Sequence, residues 1–154
     1  MHLVIQKKRM IIMKISIAFI ALLISLSACT TVPIKASNTS RPADDRILRP
    51  NLLAHQPTEL TQQVPVLFIR DSAFYGSGCL HEIYINDEPT LKLGTSESIQ
   101  LYLQVGRTRF RNKIGGIICP IFSTSTETEL RPNEEVTVRT GLMEGRPFIR
   151  VEKK

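Results

Sequence analysis

From residue 99 to 105 apolar and polar side chains alternate: Ile99, Leu101, Leu103 and Val105 fall on one parity, Gln100, Tyr102 and Gln104 on the other. A period of two is that of a strand with one buried face, and a helix cannot bury such a pattern. A strand of this kind needs further strands and a second layer to cover it. The chain supplies them. Residues 64–70 (VPVLFIR) form a β-branched and aromatic run, with Pro65 favouring an edge or a strand start. Ile83 and Ile85 alternate within 81–86, and 90–93 resumes after Asn86-Asp87-Glu88-Pro89. Thr108 and Phe110 alternate with arginines in 107–111; a threonine-rich run fills 124–130; Val136 and Val138 alternate; and a turn near Glu144-Gly145 precedes 147–152. Ile117-Ile118-Cys119 adds a short apolar run before Pro120. Strand signals every 8–12 residues, broken by Gly and Pro and free of helical periodicity, predict an all-β domain over residues 63–154. The expected form is a small antiparallel β-sandwich of about seven to eight strands, or a partly open barrel.

The segment before the domain has a different grammar. Lys7, Lys8, Arg9 and Lys14 precede an apolar stretch beginning at Ile15, and small residues follow. This order is that of a secretory signal over residues 1–28. Residues 15–28 are fewer than the roughly 20 that a membrane-spanning helix needs. Met13-Lys14 would open an equally complete signal, so Met1 and Met13 are both candidate starts. The tetrad Leu26-Ser27-Ala28-Cys29 resembles the lipobox of bacterial lipoproteins. That resemblance implies cleavage before Cys29, a diacylglyceryl group on its sulfur and acylation of the new amine, including palmitate. Thr30 stands where an Asp would signal inner-membrane retention, so the resemblance implies the periplasmic side of the outer membrane.

Residues 29–62 carry many Pro, Ser and Thr and no aromatic side chain, and read as a lipidated cysteine followed by a flexible tether. A free chain of that length spans roughly 30 Å. Ile47-Leu48 and Leu52-Leu53 interrupt it and are expected to pack on the domain; a docking segment is the alternative.

The formal charge of +6 suggests nucleic acid until it is located. Four of the 20 basic residues and none of the 14 acidic ones precede Cys29, which leaves 16 against 14 in the mature chain. That balance argues against a phosphate binder.

Of three cysteines, Cys29 is assigned to lipid, which leaves Cys79 and Cys119. An even number in an exported chain predicts a disulfide. The competing reading is a metal site of Cys79 with His81, but zinc usually takes four ligands. No residues are assigned to catalysis, metal or cofactor: Gly76-Ser77-Gly78 lacks the G-x-S-x-G pattern, and the Glu127/Glu129 and Glu134/Glu135 pairs read as solvated strand ends. Arg107, Arg109 and Arg111 fall on one strand face, with Lys113 continuing the stripe. They are either a solvated, charge-protected face or a surface for an anionic partner.

The series Ile83-Tyr84-Ile85-Asn86, Leu93-Gly94 and Leu101-Tyr102-Leu103-Gln104-Val105-Gly106-Arg107-Thr108 resembles PEGA-like domains and small lipoproteins built on them, over roughly residues 64–112. Asp87 stands where those domains have a turn glycine. The resemblance implies a binding or scaffolding module in the bacterial envelope, with an envelope protein or glycan as partner and no chemistry of its own. The alternative is a periplasmic inhibitor or regulator whose 74–78 loop plugs an enzyme cleft.

Overall fold

The computed structural model describes residues 31–55, 62–74, 76–115 and 119–154. The expected signal segment, Cys29 and the 117–118 part of the apolar run lie outside them. The domain is an all-β sandwich of eight strands: β1 (Gln63–Arg70), β2 (His81–Ile85), β3 (Glu88–Leu93), β4 (Ser98–Gln104), β5 (Gly106–Ile114), β6 (Phe122–Leu130), β7 (Val136–Met143) and β8 (Arg146–Lys153). One sheet has the order β4-β1-β7-β8 and the other β3-β2-β5-β6.

The alternation seen in sequence becomes the core. Ile99, Leu101 and Leu103 of β4 point inward with Val64, Val66 and Phe68 of β1 and Val136 and Val138 of β7. They meet Ile83, Ile85, Leu91, Leu93, Phe110 and Leu130 of the facing sheet. Phe68 and Phe110 join the two layers edge to face, with ring centroids 5.6 Å apart, an arrangement worth about 0.5–1.5 kcal/mol beyond area burial.

Turn chemistry sets the register. Asn86 and Asp87 both have positive φ, 51° and 65°, and link β2 to β3 through a two-residue loop. Asx residues tolerate this region, so the missing glycine is accommodated. Glu144 and Gly145 do the same between β7 and β8, at φ 52° and 76°. Gly106, at φ 120°, makes a corner: only Val105 separates β4 in one sheet from β5 in the other.

Two findings differ from the pattern expected of a simple antiparallel edge. β1 is interior, antiparallel to β4 and parallel to β7. Pro65 fits there because β7 pairs with β1 only from Val66 onward, so at Pro65 only β4 is alongside. β6 is a half-exposed edge, as its threonines suggest.

The second difference concerns the tether. Residues 31–55 are laid on the domain rather than free. Val32 and Ser72 exchange backbone hydrogen bonds of 2.8 and 3.1 Å. The chain then crosses the end of the sandwich, where the Ser40 N–H donates to the Ser96 carbonyl (3.0 Å) and the Ser98 N–H to the Ser40 carbonyl (2.9 Å). It descends the flank between β3 and β4: the Leu48 N–H donates to the Thr90 carbonyl (2.9 Å), Ile47 bridges to Leu91 and is buried, and Leu52 and Leu53 pack on the core. Leu48 stays exposed. Arg46 grips Glu97 with both terminal nitrogens, at 2.9 and 2.6 Å. The composition that suggests a linker conceals these contacts, because the bonds that fasten the segment to the domain, at Val32, Ser40 and Leu48, go to residues distant in sequence. The segment covers the β3 and β4 edges, which would otherwise offer unpaired backbone to another chain.

Candidate interaction surface

The arginine stripe lies as expected on the outer face of β5, but its charges are answered within the fold. The Arg107 Nε donates to Glu127 of β6 at 2.9 Å, and its Nη2 reaches the same carboxylate. Arg109 and Arg111 both face Asp87 of the β2–β3 turn, at 3.4 and 3.6 Å. The Arg111 guanidinium also lies 4.3 Å from the Tyr84 ring centroid. Lys113 and Lys92 share Glu82, at 3.8 and 3.4 Å. The stripe is therefore a lattice of surface ion pairs of alternating sign. Each pair is worth about 0–1 kcal/mol to stability, and an anionic ligand would have to compete with the resident carboxylates.

A different surface gathers at the opposite end of β5. The end of β1, the start of β2, the β5–β6 connection and the β7–β8 turn all converge there. Cys79 and Cys119 are joined across it, with Cα atoms 5.9 Å apart and sulfurs at bonding distance. With Ile114 and Leu142 the disulfide forms a second, smaller apolar cluster. Arg70 fastens the 71–80 connection from beneath. It is almost fully buried, and its Nη2 donates to the Gly76 carbonyl (2.8 Å) while its Nη1 donates to the carbonyls of Leu93 (2.9 Å) and Cys79. Burial lowers its pKa to about 10, and Glu97 opposes that shift. It remains a cation at neutral pH.

His81 lies beside it in the core. Burial, aided by the Arg70 charge, lowers its pKa to about 3, so the ring is neutral. Asn112 Nδ2 donates to His81 Nδ1 at 3.2 Å and to the Phe148 carbonyl at 3.1 Å, which places the ring proton on Nε2 and ties β5 to β8. Cys79 is committed to sulfur, and His81 to a packed interior. The pairing that would have made a metal site is absent in this geometry.

On the outer side of the same end, a cleft of about 650 Å3 runs between the incoming chain and the β7–β8 hairpin, with Thr31, Pro33, Leu142, Met143 and Phe148 among its walls. The Thr31 hydroxyl pairs with the Leu142 carbonyl, and the Leu142 N–H donates to Thr31 Oγ1 at 3.2 Å. A Cβ at Gly141 would stand 2.6 Å from the Phe148 ring, so glycine is needed for the ring to lie flat there. Asp71 anchors the segment: it accepts from the Ile34 N–H (3.2 Å) and from Arg139 Nη1 (2.7 Å). Arg139 also reaches the Ile34 carbonyl at 3.1 Å and Glu152 at 3.2 Å. Burial pushes the Asp71 carboxyl above its ordinary value, against the pull of the Ile34 N–H and Arg139.

Sequence patterning locates the cysteines and the arginine stripe. It misses Arg70, Arg139 and the Arg46–Glu97 clamp, whose partners lie far away in the chain. A charged residue closing an apolar strand, as Arg70 closes 64–70, is the one local signal available.

Among the described residues no helix is long and apolar enough to cross a membrane. No family model, no curated protein and no solved structure matches the chain.

Proposed function

We propose that this chain is a lipid-anchored envelope protein whose β-sandwich serves as a binding or scaffolding module on the periplasmic side of the bacterial outer membrane. The observation that carries the reading is the order of basic residues, apolar run and Leu26-Ser27-Ala28-Cys29 at the head of the chain. The Cys79–Cys119 pairing supports it, since such a staple persists in an oxidising compartment. The resemblance to PEGA-like domains over 64–112 supports the same class. Its partner is an envelope protein or glycan, met by a surface of rigid strands and paired charges rather than by a reactive centre.

The inhibitor reading has the exposed Phe74 in its favour. It has less in its favour as a whole, because apolar exposure is spread over several connections and does not form one projecting plug.

The test is the intact mass of protein extracted from membranes, with and without reduction and thiol alkylation. The expected mass is that of Cys29 to Lys154 plus acyl chains, with two alkylated thiols appearing only after reduction. An uncut chain makes the apolar segment a retained anchor, and a cut chain without lipid makes the protein unanchored; either result overturns the proposal.

A further inference from the structure

The large apolar side chains exposed among the described residues are not scattered. Seven stand out: Val32, Leu48, Phe74, Leu80, Ile121, Phe122 and Met143. All but Leu48 belong to the disulfide end. Val32 is bridged to Ser72 just past β1; Phe74 and Leu80 lie in the β1–β2 connection; Ile121 and Phe122 open β6; Met143 closes β7. Phe74 is 88% exposed, Ile121 78%, Val32 58% and Met143 52%. The turns at the opposite end are built from Asn86-Asp87 and Arg131-Pro132-Asn133. An apolar concentration at one pole of a small domain marks a contact surface.

The chain itself says what covers it. Thr31 is fastened to Leu142 in this same pole, and only Thr30 separates it from Cys29. Two peptide steps reach about 7 Å at most. An acyl group on Cys29 therefore holds the apolar pole against the lipid that takes the acyl chains. Residues 31–55 do not act as a spacer, because they run from that pole down the flank of the domain.

We infer that the disulfide end is a lipid-contacting face, seated on the bilayer by Val32, Phe74, Ile121, Phe122 and Met143, and that the strands stand on the membrane with the Asn86-Asp87 end pointing away. The inference rests on acylation of Cys29. Lys35, Glu144 and Arg146 are exposed around this end, with both signs represented, so apolar contact rather than charge attraction carries the seating. An eight-residue strand spans about 26 Å, so the far turns present themselves at roughly that height.

The chain has no tryptophan, which makes single indoles clean depth probes. Full-length Phe74→Trp, Ile121→Trp and, as the far-end control, Lys154→Trp proteins are expressed with their signal. Each is purified from membranes, checked by mass for acylation and reconstituted in phosphatidylcholine vesicles with and without brominated acyl chains. The expected result is several-fold stronger bromine quenching and a blue-shifted emission for F74W and I121W, with K154W unchanged. Acylated protein in which F74W and I121W are quenched no more than K154W overturns the seating and leaves the anchor standing. Protein whose Cys29 carries no lipid overturns the anchor, and the seating with it.

Discussion

Arg70 and His81 share the top of the core, and each carries a different electrostatic burden. The Arg70 charge is held by the carbonyls of Gly76 and Cys79 in the 71–80 connection and of Leu93 at the end of β3. His81 avoids charge altogether. Its folded pKa of about 3 is far below the ordinary 6.5, so the unfolded chain binds a proton at this residue where the folded one does not. The stability this residue contributes is present above about pH 6.5 and is lost as pH falls toward 3, by at most about 1.4 kcal/mol per pH unit. His81→Gln keeps a partner for Asn112 and removes the titration. Urea unfolding followed from pH 7 to pH 4 is expected to show a shallower loss of stability in the variant. An equal loss in both proteins would assign the acid sensitivity to other groups. Asp71 titrates with the opposite sign, since its folded pKa is raised, and the comparison of variant with parent cancels it.

Among the elements, the strands were legible in the sequence and the strap was not. Ile99 to Val105 announces β4 because one parity is buried, and Asn86-Asp87 and Gly145 announce hairpins through their tolerance of positive φ. These are local signals. Which strand neighbours which is not local: nothing within 64–70 discloses that β7 lies parallel beside it. The strap over residues 31–55 is held by long-range pairs such as Arg46–Glu97 and by backbone groups of β3 and β4, so its composition imitates a linker. The Cys79–Cys119 pair was legible by counting cysteines; the apolar pole was not, because its members are isolated in sequence and meet only through topology. The clamp gives the strap a test. Glu97→Gln leaves the shape but weakens a charged bidentate contact by about 1–2 kcal/mol. Trypsin cleavage of the Arg46–Ile47 bond is then expected to accelerate about tenfold, while cleavage within the sandwich stays slow. Equal rates at that bond in both proteins would mean that other contacts hold the strap.

For the whole molecule, the size of the core makes the staple matter. The disulfide closes a loop between residues 40 apart in sequence, worth about 3–4 kcal/mol by chain entropy within a total of roughly 5–15 kcal/mol. The double variant Cys79→Ala, Cys119→Ala is expected to lose about that much in a denaturant titration and to melt several degrees lower. A change under about 1 kcal/mol would show that the loops are already confined before the sulfurs join. The parallel pairing of β1 with β7 has a further consequence, for the order of assembly. Strands β2 to β6 intervene in the sequence, so β1 must wait for a partner made near the end of the chain. As the polypeptide emerges from its N-terminus, β1 and β4 can form only a two-stranded ribbon with an open edge, while the facing sheet is complete once β6 has appeared. Closure of a contact so distant in sequence is slow. The fold is thus finished from its last quarter, and a chain truncated before β7 would expose the apolar face and unpaired backbone that drive self-association.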